Sequence, residues 1–413
     1  MTVYVASSHT LTDIANAIRY HNGSSDHYAP SQMADAVAAL SGTSETCGLQ
    51  EGYKEIDAGM MSQVPYTSIA NAIRGQNGSW DEYRPNQMAA AIRALEWSSR
   101  QAYAVAIPDA SGSKYELHFL RADSAPVAGG IYGGKSIAYV YSGFEDAVYT
   151  SNSQVPWYSQ HDNFTSVHFD DEVRPATCAY WFYMFRYCTS FDLDKLDVSA
   201  AASLAYMFYY CSAVTDLDLS GLRPYAATSM KYCFYTCNKL ANLDVSGWSL
   251  PNMEDFTECF RGCSKLTGLV GLNTWYVSSA CRLTTHMFNG CTALTSLVLG
   301  EWNLSSVTNA SYMFQRMSNV ATIDMSGCIF GTPANISYMF NSDGKLTTIY
   351  TSPSCDLSGA TTKNDVFYNC YSLAGGAGSG LNNSTSLNKA LTTGDYARVD
   401  GLGGKTGYFT AKS

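Results

Sequence analysis

The chain has 413 residues, with 25 lysines and arginines against 35 aspartates and glutamates, a net charge of −10. That balance argues against nucleic acid or an anionic membrane surface as the main partner. Only 15% of residues are charged, against about 25% in an average soluble protein. The 30 tyrosines fill part of that gap, and tyrosine supplies contact area plus a hydroxyl at low entropic cost, as recognition surfaces require.

The first hundred residues are internally duplicated. Ile14-Ala15-Asn16-Ala17-Ile18-Arg19 returns as Ile69-Ala70-Asn71-Ala72-Ile73-Arg74, followed by Asn22-Gly23-Ser24 with Asn77-Gly78-Ser79 and Gln32-Met33-Ala34 with Gln87-Met88-Ala89. Leu11, Ile14, Ala15 and Ile18 fall on one helical face. Gly23 suits the end of that helix, and Pro30 the first turn of a second carrying Met33, Val37 and Leu40. Each copy therefore predicts a helical hairpin, residues 1–45 for the first and 46–99 for a linker and the second. The connection is too long for a DNA-binding helix-turn-helix, and Arg19, Arg74 and Arg93 make no basic stripe. The opening Met1-Thr2-Val3-Tyr4-Val5 has neither the charged nor the apolar region of an export signal, and no stretch predicts a membrane span.

Residues 100–177 read as β-rich. They include Gly129-Gly130-Ile131-Tyr132-Gly133-Gly134-Lys135-Ser136, which satisfies the phosphate-loop pattern letter for letter. That chemistry needs a strand before and a helix after, so that backbone amides and a helix dipole face the phosphate. Here Asp123, Ser124 and Pro126 precede it and the β-like Ile137-Ala138-Tyr139-Val140-Tyr141 follows, so a loop before a strand is expected instead.

From there a phenylalanine and a cysteine recur together: Phe185/Cys188, Phe208/Cys211, Phe234/Cys237, Phe260/Cys263, Phe288/Cys291, Phe314, Phe340 and Phe367/Cys370. A period near 26 residues, as from Phe208 to Phe234 to Phe260, signals a solenoid whose turns bury one another. Leu217-Asp218-Leu219 alternates like a short strand with Asp218 outward, and Leu243-Asp244-Val245, Leu269-Val270-Gly271, Leu297-Val298-Leu299, Ile323-Asp324-Met325 and Ile349-Tyr350-Thr351 are its parallel neighbours. Leu204, Met207, Phe208 and Cys211 stand at helix-like spacing, which predicts a helical turn behind each strand. The expectation is an α/β, leucine-rich-repeat-like solenoid of about eight coils over residues 178–376, its parallel sheet roughly 35 Å long, closed by a cap at 377–413.

Thirteen cysteines would suggest disulfides in a small secreted chain. Six of them share one repeat position, where other coils carry Met317 and Asp343, so that position is an apolar packing site. Free thiols are predicted. Asp343 interrupts the column, with local distortion expected beside Gly344. Cys233/Cys237 and Cys259/Cys263 have metal-like spacing, but each first cysteine replaces the methionine before phenylalanine. The seven histidines form no ligand motif, there is no Gly-x-Ser-x-Gly elbow, and Asp170/Asp171 and Glu145/Asp146 are adjacent, hence on opposite strand faces. No catalytic residue, cofactor or metal is assigned, and the chain is expected not to be an enzyme.

The run Met-Phe-x-x-Cys-x-x-Leu-x-x-Leu-Asp-Leu-Ser resembles the BspA-like leucine-rich repeats of bacterial surface and phage proteins. Tyr103-Ala104-Val105, Trp157-Tyr158-Ser159 and Val167-His168-Phe169-Asp170-Asp171 look like that family's entry region, and Tyr396 to Gly401 with Gly407-Tyr408-Phe409-Thr410 its closing segment. The duplicated helices are similar to a short module near the N-termini of phage tail proteins. The resemblance implies adhesion or surface recognition. The expected protein is a phage tail-associated component, carried on the virion and contacting a bacterial surface glycan or protein. Its N-terminal helices would join other tail proteins or a second copy. A bacterial surface adhesin is the alternative and a carbohydrate-active enzyme the third. The variable slots between Phe and Cys give the candidate contacts: Arg186, Tyr187, Tyr209, Tyr210, Tyr235, Arg261, Gln315, Arg316, Asn341 and Tyr368. A second candidate is the acidic row Asp218, Asp244 and Asp324.

Overall fold

A computed structural model describes residues 100–378 and 393–412. The chain divides into two units, 1–99 and 100–413. The predicted helical hairpins lie outside the described residues, as does Cys47.

Residues 100–192 form a mixed five-stranded sheet. Gln101–Pro108 and Tyr115–Ala122 make an antiparallel pair, Tyr139–Ser142 joins the outer side of the first, and Phe164–Phe169 then Ser190–Asp192 add in parallel beside the second. The inner face supplies an aromatic plug. Phe119 stacks on Phe169 at 4.3 Å and on Trp181 at 5.6 Å, with Trp157 edge-on at 5.1 Å. The plug seals the end of the solenoid interior, which would otherwise expose apolar surface.

The glycine-rich segment is a hairpin. Ile131–Tyr132 pairs with Lys135–Ser136 across Gly133 and Gly134, whose φ values are 54° and 77°. A two-residue turn with both φ positive calls for glycine. Lys135 donates to Glu116 at 2.9 Å, and the predicted strand follows at Tyr139.

Beyond the cap the chain winds as a parallel β-solenoid of about seven turns, with short strands at the predicted places from Asp216–Asp218 through Asn242–Asp244 to Thr348–Thr351, and second two-residue strands pairing Ser249–Leu250 with Tyr276–Val277 and Asn303–Leu304 with Ile329–Phe330. Leu217 and Leu219 face inward and Asp218 outward. The final strand position is taken by Phe409–Ala411, which pairs with Thr348–Thr351 while Tyr408 covers Phe367 edge-on at 5.1 Å.

The predicted helical turns do not form, and the described residues contain no α-helix, so the α/β expectation becomes an all-β solenoid. The segment from Leu204 to Cys211 instead places every fourth residue in the left-handed region. Tyr206 and Tyr210 have φ of 59° and 56°, and the pair recurs at Tyr232/Thr236, Glu258/Gly262, His286/Gly290, Tyr312/Arg316 and Tyr338/Ser342. Alternate amides turn outward to the next coil: Leu204 to Ser229, Tyr206 to Lys231, Phe208 to Cys233 and Tyr210 to Tyr235, while Met207, Tyr209 and Cys211 close four-residue turns. A left-handed non-glycine residue costs on the order of 1 kcal/mol. The hydrogen bonds it aims between coils offset that cost. Apolar residues at i, i+3, i+4 and i+7 are buried by this backbone too, which is why the spacing imitated a helix.

The interior is a ladder of phenylalanines. Successive rings from Phe208 through Phe234, Phe260, Phe288, Phe314, Phe340 and Phe367 lie 5.3–5.9 Å apart, nearly parallel. The first rung is Phe182, 5.5 Å from Phe208, rather than Phe185. The register of the first coil is thus three residues earlier than the sequence suggested, because Trp181, Phe182 and Phe185 all compete for the slot. Behind the rings runs the thiol column. Cys211, Cys237, Cys263, Cys291 and Cys370 each donate from Sγ to the phenylalanine carbonyl one coil back, at 2.8–3.2 Å. The twelve described cysteines are buried free thiols. Burial pushes the thiols of this column up, so they stay protonated, inert as nucleophiles and able to donate. The seventh coil is not distorted. Asp343 takes the cysteine position fully buried and accepts the Met317 amide at 2.7 Å.

Nor is the sheet continuous. Asp216–Asp218, Asn242–Asp244 and Gly268–Val270 form one sheet, and Ser296–Val298, Thr322–Met325, Thr348–Thr351 and Phe409–Ala411 another.

Candidate functional site

The left-handed segments line one flank of the solenoid and display its variable residues. Over the first three coils these are tyrosines in two rows. Tyr180, Tyr206 and Tyr232 stack at 4.6 and 4.8 Å; Tyr183, Tyr209 and Tyr235 stack at 4.6 and 4.9 Å. Within a coil the rows lie 5.5–5.8 Å apart. Tyr210 adds a seventh ring, 5.1 Å from Tyr209. All seven are half-buried.

This packing decides what the face can offer. The middle rings, Tyr206 and Tyr209, spend both faces on the rings above and below and the end rings one face each, so sugar stacking on the ring planes is blocked along the rows. What remains outward is a grid of ring edges and phenol hydroxyls repeating once per coil. Burial and neighbouring phenols push Tyr209 up to about 12, and burial with the Glu258 hydrogen bond does the same for Tyr232. Both hydroxyls are therefore neutral at physiological pH, Tyr209 able to donate and accept and Tyr232, its proton spent on Glu258, able only to accept.

The grid ends at the fourth coil. The Tyr232 hydroxyl donates to Glu258 at 3.0 Å, Arg261 pairs with Glu258 at 2.7 Å, and the Arg261 guanidinium lies 5.7 Å from the Tyr235 ring centre. Further on, His286, Tyr312 and Tyr338 stack at 4.3 and 4.7 Å. In the second row Asn289 donates to Gln315 at 2.6 Å and Gln315 to Asn341 at 3.3 Å.

Of the predicted contacts, the structure brings together Tyr209, Tyr210 and Tyr235, with Arg261 at their border. Gln315 and Asn341 are consumed by the amide ladder, and Asn341 is buried. Arg316 is exposed in a left-handed slot, and Tyr368 lies at the far end, 41% exposed. Arg186 and Tyr187 fall outside the rows because of the three-residue register shift; Arg186 sits 3.9 Å from Asp162 and Tyr187 beneath Lys114 at 3.7 Å. Their slots belong to Tyr183 and Met184. The sequence reading missed Tyr180, Tyr183, Tyr206 and Tyr232. The signal was there: a tyrosine two residues before the phenylalanine in several coils.

The acidic row is structural. Asp218, Asp244 and Asp324 each accept the amide two residues on, from Ser220, Ser246 and Ser326, at 2.9 Å, and Asp324 also holds Lys412. These bonds turn the chain at the strand's end.

On the cap, Asp170 and Asp171 do face apart. Asp170 accepts from the Tyr132 hydroxyl at 2.7 Å and pairs with His118 at 2.7 Å, while Asp171 accepts the Arg121 amide at 2.8 Å. His118 also stacks on His168 at 4.6 Å, with Glu116 3.6 Å from its other nitrogen. Asp170 thus holds the imidazole through Nδ1, while Nε2 has no hydrogen-bond partner among the described residues. Among the described residues no group of three or more His, Cys, Asp or Glu side chains could hold a metal.

Comparison with known proteins bears on the repeats. Residues 181–271 and 267–377 match the family described as Mycoplasma protein of unknown function, DUF285. No curated protein matches the chain. A leucine-rich repeat protein from Eubacterium ventriosum, known from a crystal structure, is 14% identical, covering 72% of this chain and 91% of its own, with a TM-score of 0.21. The solenoid assignment rests on the interstrand and inter-coil hydrogen bonds above, and the DUF285 match coincides with that solenoid.

Proposed function

We propose that this protein is a non-enzymatic recognition scaffold that docks a glycan or protein on a bacterial surface through its tyrosine flank, in the manner of a surface adhesin. The observation that carries the reading is the two-row tyrosine grid, a regular array of neutral hydroxyls held rigid by stacking. Such an array hydrogen-bonds a repeating polar ligand without losing side-chain freedom on binding.

The family match falls on the repeats alone, which supports the repeat-protein reading over a tail-specific one. The second reading, a phage tail component on the virion, draws on the likeness of the duplicated segments at 14–40 and 69–95 to phage tail modules. Neither reading calls for a cofactor, and partner proteins at the N-terminal segments belong to the second only. A carbohydrate-active enzyme would release products, which analysis after binding separates from simple capture.

The test is replacement of Tyr206, Tyr209, Tyr232 and Tyr235 by Phe, which keeps the stacks and removes the hydroxyls. Binding to intact bacteria or a glycan array should fall at least tenfold, about 1.4 kcal/mol, with the melting temperature held. Undiminished binding by a folded variant would exclude this flank.

A further inference from the structure

The split in the solenoid sheet has a local cause and leaves an opening. Phe234 to Phe260 spans 26 residues, but Phe260 to Phe288 spans 28. One of the two extra residues lies at Gly271, left-handed with φ 85°, where a Cβ would collide with the Ser246 backbone. The bulge feeds a short 3-10 turn, Leu272–Thr274. On the flank the fourth and fifth coils stay joined, Phe260 amide to Met287 carbonyl and Gly262 to Asn289. On the strand side they part, and Gly268–Val270 and Ser296–Val298 become edges of separate sheets facing one another.

Between them is a cleft of about 300 Å³ lined by Leu269, Leu272, Leu294, Leu297, Ser296 and Val298, among others. Its walls carry backbone groups without a ladder. At this level of the coil the Asn242 amide donates back to Thr215 and the Gly268 amide to Ala241. Ser296 is the next equivalent, yet no strand pairing joins it to the fourth coil. Two facing parallel edges with an apolar floor fit one class of ligand, an extended backbone that hydrogen-bonds both sides at once.

We propose that this cleft binds an extended peptide strand of a partner protein by insertion into the sheet, with apolar residues at alternate positions and basic ones between. The inward residues would meet the leucine floor. The outward ones would emerge beside Val270 and Val298, which are 53% and 46% exposed. Asp244 flanks Val270 along the same outward row, on a chain of net charge −10, whereas Asp324 beside Val298 is already held by Lys412. That charge selects lysine or arginine at the outward positions. The site is independent of the tyrosine flank.

The test is fluorescence anisotropy of the full chain with a labelled peptide of alternating valine and lysine, beside the same peptide N-methylated at alternate bonds. Saturable binding of the first, weakened about tenfold or more by N-methylation, is expected. Ser296→Pro, which removes a cleft amide, should weaken it similarly. Val298→Lys, a surface change that leaves the fold alone, should weaken it several-fold by charge. No saturable binding, or equal binding of the N-methylated peptide, would overturn the proposal. So would sedimentation showing that a second copy of the chain occupies the cleft and that the peptide does not displace it.

Discussion

Two ladders run along this solenoid with the same period, and they obey different rules. The inner one is phenylalanine at every described rung from Phe182 to Phe367, dry and close-packed. The outer one changes composition twice, from half-buried tyrosine on tyrosine to the Glu258–Arg261 pair and then to the Asn289–Gln315–Asn341 chain. The interior sets the period because a ring out of step leaves a cavity. The flank needs only a residue that pairs with its copy one coil away, so it is free to carry recognition.

The largest expected effect follows from breaking the inner ladder. Phe234→Ala removes a ring stacked on both sides and should cost about 3–5 kcal/mol, read as a lowered denaturation midpoint. Tyr209→Ser on the outer ladder should cost far less, about 0.5–1.5 kcal/mol per stacked pair lost. Equal costs would erase the distinction.

Asp343 sharpens it, as an ionisable group in the inner column. Burial pushes its carboxyl well above the usual range, so the folded chain keeps a proton that the unfolded chain releases near pH 4. Its own contribution to stability is then greatest below about pH 4 and falls as pH rises, by at most about 1.4 kcal/mol per unit, until the folded carboxyl itself titrates. Asp343→Asn should remove that slope and stabilise the protein at neutral pH, as measured by urea unfolding from pH 4 to 8. A slope unchanged by the substitution would place the titration elsewhere.

The smallest effect tests the backbone of the flank. Arg316 occupies, at φ 61°, the slot that Gly262 and Gly290 fill two coils and one coil earlier. Arg316→Gly should therefore stabilise by about 0.5–1 kcal/mol, a rise in melting temperature, although Gly costs stability at most positions.

Much of this was legible in the residues and some was not. The Phe and Cys columns and the strand positions were readable because burial at a fixed period leaves a one-letter trace. The first coil was misplaced because aromatics adjoin in Trp181-Phe182-Tyr183-Met184-Phe185, and only contact with Phe208 selects Phe182. The left-handed backbone was hard to see, since it buries the same spacing as a helix and most of its slots carry tyrosine or another side chain, with only Gly262, Gly290 and Asn369 hinting at it. The candidate face was half legible. Tyr209, Tyr210 and Tyr235 were found, but stacking between distant residues, and hence the loss of ring faces, appears only when coils are laid together. The 28-residue step from Phe260 to Phe288 was in plain view and marked the split sheet.

The claim beneath all of this is that the coils are interchangeable units held in one register. Ser229 and Asp255 are bridged as equivalents in neighbouring coils. Excising residues 229–254 removes one whole coil and should leave Phe208 stacked on Phe260, with a single cooperative unfolding transition and a β-type circular dichroism spectrum. Excising 229–241 instead removes half a coil, sets strand residues against flank residues in every following coil, and should abolish folding. Two deletions of matching stability, or a whole-coil deletion that does not fold, would contradict the account.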